Sequence, residues 1–237
     1  MNLITTCSVE FADRATRLFQ SYRRFYPEGK ITVYTFGPEF TLPKVEMVQV
    51  PMLCEHAHNP RFYFFKTYAI YHAMHQDEDF LYLDSAHRIL ERPVDIEAAL
   101  ESHTRFLVEY PDIPLKFDTT KKCFERMGAL EERFLNAPCY WAAIQAWRPT
   151  KENKIFAGQF LEYMEDSEIA GPSNYLENPE PNNPTCRHHR NDQSCLSIMI
   201  EKFGFRQPCN DYIWARYGDH DTQRPVPEQP VIRGRQP

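Results

Sequence analysis

The sequence predicts an α/β fold, in which a mostly parallel central sheet is flanked by helices within a single domain. Short apolar stretches rich in β-branched and aromatic residues alternate with segments of helical periodicity across residues 1–90. This alternation favours parallel strands joined by right-handed crossovers. The chain has 237 residues, of which 42% are hydrophobic and 14% aromatic, so it can build one large core.

The N-terminal part should alternate between strands and helices. We predict strands at residues 2–7, 31–36, 45–50 and 80–83, and helices at residues 10–24 and 62–75. Pro27 and Gly29 break the first helix, and the fourth strand ends at Asp84. Ligands of open α/β sheets bind at the carboxyl ends of strands, so residues 5–8 and Asp84 should face one crevice in a nucleotide-binding half, residues 1–90.

The remainder of the chain is less regular. We predict strands at residues 106–109 and 140–147, and helices at residues 119–135, 151–164 and 192–203. Residues 174–185 are rich in Pro and Asn and should form a long surface loop that could act as a lid. Residues 216–237 carry several prolines and should form an extended C-terminal tail.

Composition excludes several classes of function. A net charge of −6 argues against a nucleic-acid-binding surface. No apolar run approaches the roughly 18 residues that a membrane span needs, and seven cysteines without a CxxC pair suit reduced thiols, so we expect a cytoplasmic protein. Neither GxGxxG nor GxxxxGK[ST] occurs, which argues against dinucleotide oxidoreductases and P-loop NTPases.

Two carboxylates stand out by their positions. Asp84 closes an apolar strand, where a carboxylate needs a metal ion, a cation or a hydrogen-bond donor as its partner. Asp192, followed by Gln193, opens a helix within the segment HHRNDQS. An acid at that position either caps the helix or projects from its start into the crevice beside Asp84.

Four segments together resemble nucleotide-sugar glycosyltransferases of the GT-A fold, in particular the glycogenin-like and capsule-type transferases: TTCS, LYLDSAH, IQAWRPTKENKIFAGQFLEY and HHRNDQS. The resemblance implies one GT-A domain with an acceptor-side half at residues 91–215. It also implies transfer of a sugar from a nucleoside-diphosphate donor, a UDP-sugar, to a hydroxyl of a glycan or small acceptor.

The resemblance assigns the metal site to Asp84, as the first acid of a DxD motif that binds Mn²⁺ or Mg²⁺. The sequence departs from the motif, because Ala86 stands where the second acid belongs. His220 is then a candidate distal ligand. His87 is nearer, although a histidine after a strand is more often a hydrogen-bonded structural residue.

The remaining candidate residues fall into three groups by the part of the reaction they would serve. Asp192 and Gln193 would act on the sugar, with Asp192 as general base or electrostatic stabiliser. The donor would contact residues at strand ends, on the second helix and in the tail: Thr5, Thr6, Cys7, Ser8, Lys66, Asp84, Ser85, Arg233 and Arg235. The acceptor or sugar would contact Gln145, Trp147 and His189.

These residues also have purely structural interpretations. Residues 5–8 could be a plain strand end, the two tail arginines could be solvated, and Trp147 could be a core aromatic residue. Two other functions stay open. One is a non-catalytic module that binds a nucleotide sugar or glycan, and the other is a hydrolase or phosphotransferase of nucleoside diphosphates. A zinc cluster of Cys186, His188, His189 and Cys195 is disfavoured, because the spacing matches no usual paired form.

Overall fold

The computed structural model describes residues 1–171, 186–187, 189–206 and 215–217. A six-stranded sheet with the order β3-β2-β1-β4-β7-β6 forms its centre, and β5 and β8 make a separate two-stranded sheet. The strands have the following bounds: β1 Asn2–Cys7, β2 Ile31–Thr35, β3 Glu46–Gln49, β4 Phe80–Leu83, β5 His87–Ile89, β6 Arg105–Pro114, β7 Pro138–Trp147 and β8 Ala215–Tyr217.

Four neighbouring strands of the large sheet run parallel. β1 pairs with β2 on one side and with β4 on the other, so the carboxyl ends of β1 and β4 lie at the same edge. β7 is antiparallel to both β4 and β6, which makes it the one reversed strand of this sheet. The predicted mostly parallel α/β sheet is confirmed, with one antiparallel insertion.

Helices cover both faces of the sheet. Their bounds are α1 Ala12–Arg23, α2 Phe64–Met74, α3 Val94–His103, α4 Lys121–Arg126, α5 Glu132–Leu135, α6 Lys151–Met164, α7 Ser167–Ala170 and α8 Asp192–Phe203. On one face α2, α6 and α8 bury residues such as Phe64, Phe156 and Met199, and on the other α1 and α3 bury Leu18 and Ile96. Among the described helices, none has the length and apolar character needed to cross a bilayer.

The predicted elements agree with the structure where hydrophobic periodicity is strong. The predicted bounds are the observed ones for β1, β4, α6 and α8. By contrast, the single helix predicted at residues 119–135 is two short helices, α4 and α5. Gly128 between them has a φ of +59°, a left-handed conformation that ends the first helix. The predicted loop at residues 174–185 and most of the predicted tail lie outside the described residues.

An irregularity in β7 changes which of its side chains face which core. Leu107 of β6 pairs with Gln145, whereas Glu109 pairs with Tyr140, so β7 accommodates extra residues between these positions. As a result Tyr140 and Trp147 pack into the same cluster with α2 and α6, whereas strict alternation would place them on opposite faces.

Candidate active site

A cavity of about 540 Å³ lies at the sheet edge where β1 and β4 end, next to the first turn of α8. Asp84, which follows β4, and Asp192, which opens α8, both line it. Thr6, Cys7 and Ser8 contribute the part of the wall at the carboxyl end of β1. The structure therefore brings the two carboxylates together in one cavity, as the strand order and the helix position predict.

Lys66 of α2 connects the two carboxylates. Its Nζ lies 3.0 Å from each oxygen of Asp84 and 3.4 Å from Oδ2 of Asp192. The side chains of Lys66 and Asp192 are only 10% and 7% exposed, so this ammonium is held between two acids with little solvent. Its Nζ also lies 4.8 Å from the ring centroid of Tyr63, within the range of a cation–π contact.

Asp84 receives a second partner from its own strand. The Tyr82 hydroxyl donates to Oδ1 of Asp84 at 2.7 Å, and Thr6 Oγ1 lies 3.1 Å from the same hydroxyl oxygen. Tyr82 and Asp84 are two residues apart at the end of a strand, so their side chains point to the same face. Lys66 and Tyr82 are thus the cation and the hydrogen-bond donor that Asp84 needs at the end of this apolar strand.

The pKa values of the three charged groups follow from burial and pairing. Burial favours neutral Lys66, yet the Asp192 and Asp84 carboxylates outweigh it and raise the pKa of Lys66 well above its ordinary value. Burial raises the pKa of Asp84, but Lys66 and His87 more than offset it, so the net pKa is lowered. For Asp192 burial dominates over the attraction of Lys66 and raises the pKa to about 6.

The residue before Asp192 adopts an unusual backbone conformation. Asn191 has a φ of 50° and a ψ of −115°, a region that costs a non-glycine residue about 1–3 kcal/mol. Its amide Nδ2 lies within hydrogen-bond distance of the carbonyl oxygens of Arg61, Ala170 and Gly171, at 3.1, 2.8 and 2.6 Å. These contacts hold the turn that directs Asp192 toward Lys66.

The predicted donor-binding residues at the ends of β1 and β4 differ in how they meet the cavity. Thr5 donates its hydroxyl to the carbonyl oxygen of Leu83 at 2.6 Å and is not among the residues lining the cavity. Cys7 does line it, but burial and the nearby Glu10 carboxylate raise the pKa of its thiol to about 12. Ser8 and Ser85 line the cavity and are buried.

Gln193 and two histidines complete this wall. Gln193 lines the cavity and is half-buried. His189 accepts from the Thr120 amide at 3.4 Å through Nδ1, and its Nε2 lies 2.6 Å from the Ile169 carbonyl oxygen, so both ring nitrogens have partners within the protein. Burial lowers the pKa of His87, whose Nδ1 lies 3.1 Å from the Asp84 carbonyl oxygen.

Comparison with known proteins relates this architecture to one fold. No family model matches the chain, and no curated protein matches its sequence. Among solved structures, mouse xyloside xylosyltransferase 1 is similar over 94% of this chain and 99% of its own, with 11% identity and a TM-score of 0.50. The S. cerevisiae mannosyltransferase Ktr4p is similar over 84% of this chain, with 11% identity and a TM-score of 0.51.

The chain has the GT-A fold. It spans 65% of the length of Ktr4p and 37% of the bifunctional glycosyltransferase WbbM, whose TM-score is 0.43. At these identities the similarity concerns the fold of this GT-A chain, and the site must be argued from its own residues.

The predicted contacts of Gln145 and Trp147 with acceptor or sugar are not supported by where this GT-A chain places them. Both residues are buried in the core, and the Trp147 indole donates to Gln145 Oε1 at 3.1 Å while Gln145 Nε2 donates to the Ala142 carbonyl at 3.0 Å. The antiparallel register of β7 against β4 is the physical reason. It places Gln145 opposite Tyr82 and Trp147 opposite Phe80, away from the carboxyl end of β4, whereas Trp141 lies beyond that end and lines the cavity.

The divalent-ion site implied by the DxD resemblance does not fit the described residues. Both oxygens of Asp84 lie against Lys66, Oδ1 also accepts from Tyr82, and Ala86 brings no ligand atom. Within the described part of the chain, no group of three or more His, Cys, Asp or Glu side chains could hold a metal. His220 lies outside the described residues, as do Arg233 and Arg235, so those predictions stay untested.

Sequence reasoning missed two cations and several aromatic residues of the cavity. Arg14 of α1 and Arg190, two residues before α8, both line it. The proximity of Arg190 to Asp192 in sequence was a usable signal, whereas nothing local distinguishes Arg14 from the other charged residues of α1. The missed aromatic residues of the lining are Phe11, Phe36, Tyr63 and Phe65, whereas Trp141, which also lines the cavity, is an aromatic that the sequence offers for stacking on a sugar ring.

Proposed function

We propose that this protein transfers a sugar from a nucleoside-diphosphate donor, a UDP-sugar, to a hydroxyl of a glycan or small acceptor. The observation that carries the proposal is the Asp84–Lys66–Asp192 cluster, which lies in a cavity at the carboxyl ends of β1 and β4 on a GT-A fold. Ligands of open α/β sheets bind at that edge. The same cavity offers both aromatic surface and cations, as a nucleotide requires.

The three charged groups can divide the work of the transfer. The bond between the anomeric carbon and the diphosphate oxygen breaks, its electron pair leaves with the diphosphate, and the acceptor oxygen forms the new bond. Lys66 offers a positive charge to the departing diphosphate. Asp192, whose Oδ2 is buried without a hydrogen-bond partner among the described residues, is the carboxylate available to the sugar or to the proton of the acceptor hydroxyl.

Donor hydrolysis tests the proposal without knowledge of the acceptor. The purified chain is incubated with a panel of nucleoside-diphosphate sugars, and released nucleoside diphosphate is measured in EDTA and in MnCl₂. We expect release from one donor that depends on the identity of the sugar. Binding without any release would instead support a non-catalytic module, and release regardless of the sugar would support a diphosphate hydrolase.

Asp192→Asn separates binding from chemistry. The change keeps the shape of the side chain and removes the carboxylate, so turnover should fall by at least roughly a hundred-fold while affinity for the nucleoside diphosphate is retained. Asp13→Asn, at an exposed position of α1, is the matched control and should behave like the wild type. Undiminished turnover in Asp192→Asn would remove Asp192 from the proposed site.

A further inference from the structure

The place that a divalent ion would take next to Asp84 is filled by a side chain of the protein. Lys66 Nζ is 3.0 Å from both Asp84 oxygens, and a metal bound there would have to displace it. Moving Lys66 away would also remove the cation beside Asp192, leaving two buried carboxylates without that compensation. The ion pair therefore competes directly with metal binding.

Two guanidinium groups line the cavity in addition to the Lys66 ammonium. Arg14 is half-buried and lies over the ring of Phe11, with its Cζ 5.1 Å from the centroid. The Arg190 side chain is 49% exposed, and its Nε is 3.6 Å from the Asp118 carboxylate, at the long end of an ion pair. Guanidinium groups bind phosphate oxygens in a bidentate manner, which suits both residues to a diphosphate.

The wall of the cavity is less acidic than the chain as a whole. Among the described residues lining it, the cations Arg14, Lys66 and Arg190 outnumber the carboxylates Asp84 and Asp192. The full sequence carries a net charge of −6. The Asp118 carboxylate beside Arg190 offsets one of these cations, yet a concentration of three cations in an acidic protein still favours an anionic ligand at this position over the rest of the surface.

We propose that the nucleoside diphosphate binds this cavity without a divalent ion, and that the Lys66 ammonium and the Arg14 and Arg190 guanidinium groups meet its phosphates. The inference rests on the proposed function, because it assumes a nucleotide in this cavity. It assigns to three side chains the charge compensation that a bound metal ion supplies in the DxD arrangement.

Calorimetric titration of the full chain with UDP, GDP, ADP, CDP and dTDP tests the inference. Each titration is run in EDTA and again in MnCl₂. We expect one nucleotide to bind in EDTA at least as tightly as in MnCl₂, because Mn²⁺ bound to the free nucleotide lowers the negative charge that the three cations recognise. Electron paramagnetic resonance should show that the protein with or without nucleotide binds no Mn²⁺ beyond what the nucleotide binds in solution.

The outcomes distinguish this inference from the proposed function. Binding that requires Mn²⁺ would overturn the inference and leave the glycosyltransferase proposal in place. Failure of every nucleotide to bind under both conditions would overturn both. Binding in EDTA, combined with sugar-dependent donor hydrolysis in EDTA, would support both.

Variants of the two arginines connect the binding to this cavity. Arg14→Gln removes a half-exposed guanidinium with little risk to the fold, and we expect it to lower affinity in EDTA roughly ten-fold or more. Arg190→Gln should act in the same direction. Arg24→Gln, at the exposed end of α1 and outside the cavity, is the control and should leave affinity unchanged. Equal affinities for Arg14→Gln, Arg190→Gln and the control would overturn the inference.

Discussion

Replacing Lys66 by Met should destabilise the fold strongly, because it leaves the two buried carboxylates without their shared cation. Removing one partner of a buried ion pair costs about 3–5 kcal/mol. For a domain of this size, each kcal/mol lowers the melting temperature by roughly 2–4 °C, so we expect a decrease of roughly 6–20 °C. The fold should survive, since domains are stable by about 5–15 kcal/mol.

A double-mutant cycle isolates the Lys66–Asp84 interaction. Asp84→Asn alone leaves Lys66 paired with Asp192 at 3.4 Å and should cost less than Lys66→Met. The double variant should be more stable than the sum of the two single effects predicts, by about 0.5–3 kcal/mol, because the uncompensated charge on Asp84 is absent. Urea unfolding followed by tryptophan fluorescence gives these values, and Lys151→Met at an exposed position of α6 serves as control.

The pH dependence of Lys66→Met gives an independent check. Without the ammonium, the folded-state pKa of Asp84 should rise above its unfolded value, and the already raised pKa of Asp192 should rise further. The folded form then binds protons more tightly, so the variant should regain stability as the pH is lowered through that range. Strict additivity in the cycle, together with the same pH dependence as the wild type, would refute the description of this cluster.

Three further predictions address individual residues. Burial raises the pKa of Asp192 from 3.8 to about 6, so the free energy of unfolding should fall as the pH rises between these values. Urea titrations at several pH values should show a flatter dependence on pH for Asp192→Asn than for the wild type. The same dependence in both proteins would contradict the burial argument. Burial and the Glu10 carboxylate raise the pKa of the Cys7 thiol to about 12, so iodoacetamide should not modify Cys7 at neutral pH. Peptide mapping checks this, and rapid labelling of Cys7 would show an exposed thiolate instead. Trp147→Phe removes the indole donor to Gln145 and should lower the free energy of unfolding in urea by about 1–3 kcal/mol. The variant should bind the nucleotide with unchanged affinity. Weaker binding by a stably folded variant would show that Trp147 contacts the ligand.

Elements with both a clear period and a local boundary signal could be predicted from the sequence. The α6 helix starts after Thr150, whose hydroxyl oxygen accepts from the Asn153 amide at 3.2 Å, and its predicted bounds are the observed ones. α3 was missed. Its N-cap position is Pro93, which makes no side-chain capping bond, and only Ile96, Ala99 and Leu100 are buried, so the apolar period is too weak to detect.

The positions of the two site carboxylates could also be predicted, because each follows or opens a regular element at the same sheet edge. Two features of the site depend on contacts between distant segments and could not be predicted. The ion pair of Lys66 with Asp84 and Asp192 joins α2, the end of β4 and α8. The register of β7 against β4 places Trp147 beside the start of β4 and Trp141 beyond its end, where it lines the cavity, and no local pattern in β7 encodes this register.

A crystal structure of the chain grown in EDTA with the nucleoside diphosphate that binds in calorimetry tests the account most directly. We expect phosphate oxygens within hydrogen-bond distance of Lys66 Nζ and of the Arg14 or Arg190 guanidinium, with Asp192 facing the side from which the sugar has departed. A nucleotide bound outside the cavity between Asp84 and Asp192 would contradict it.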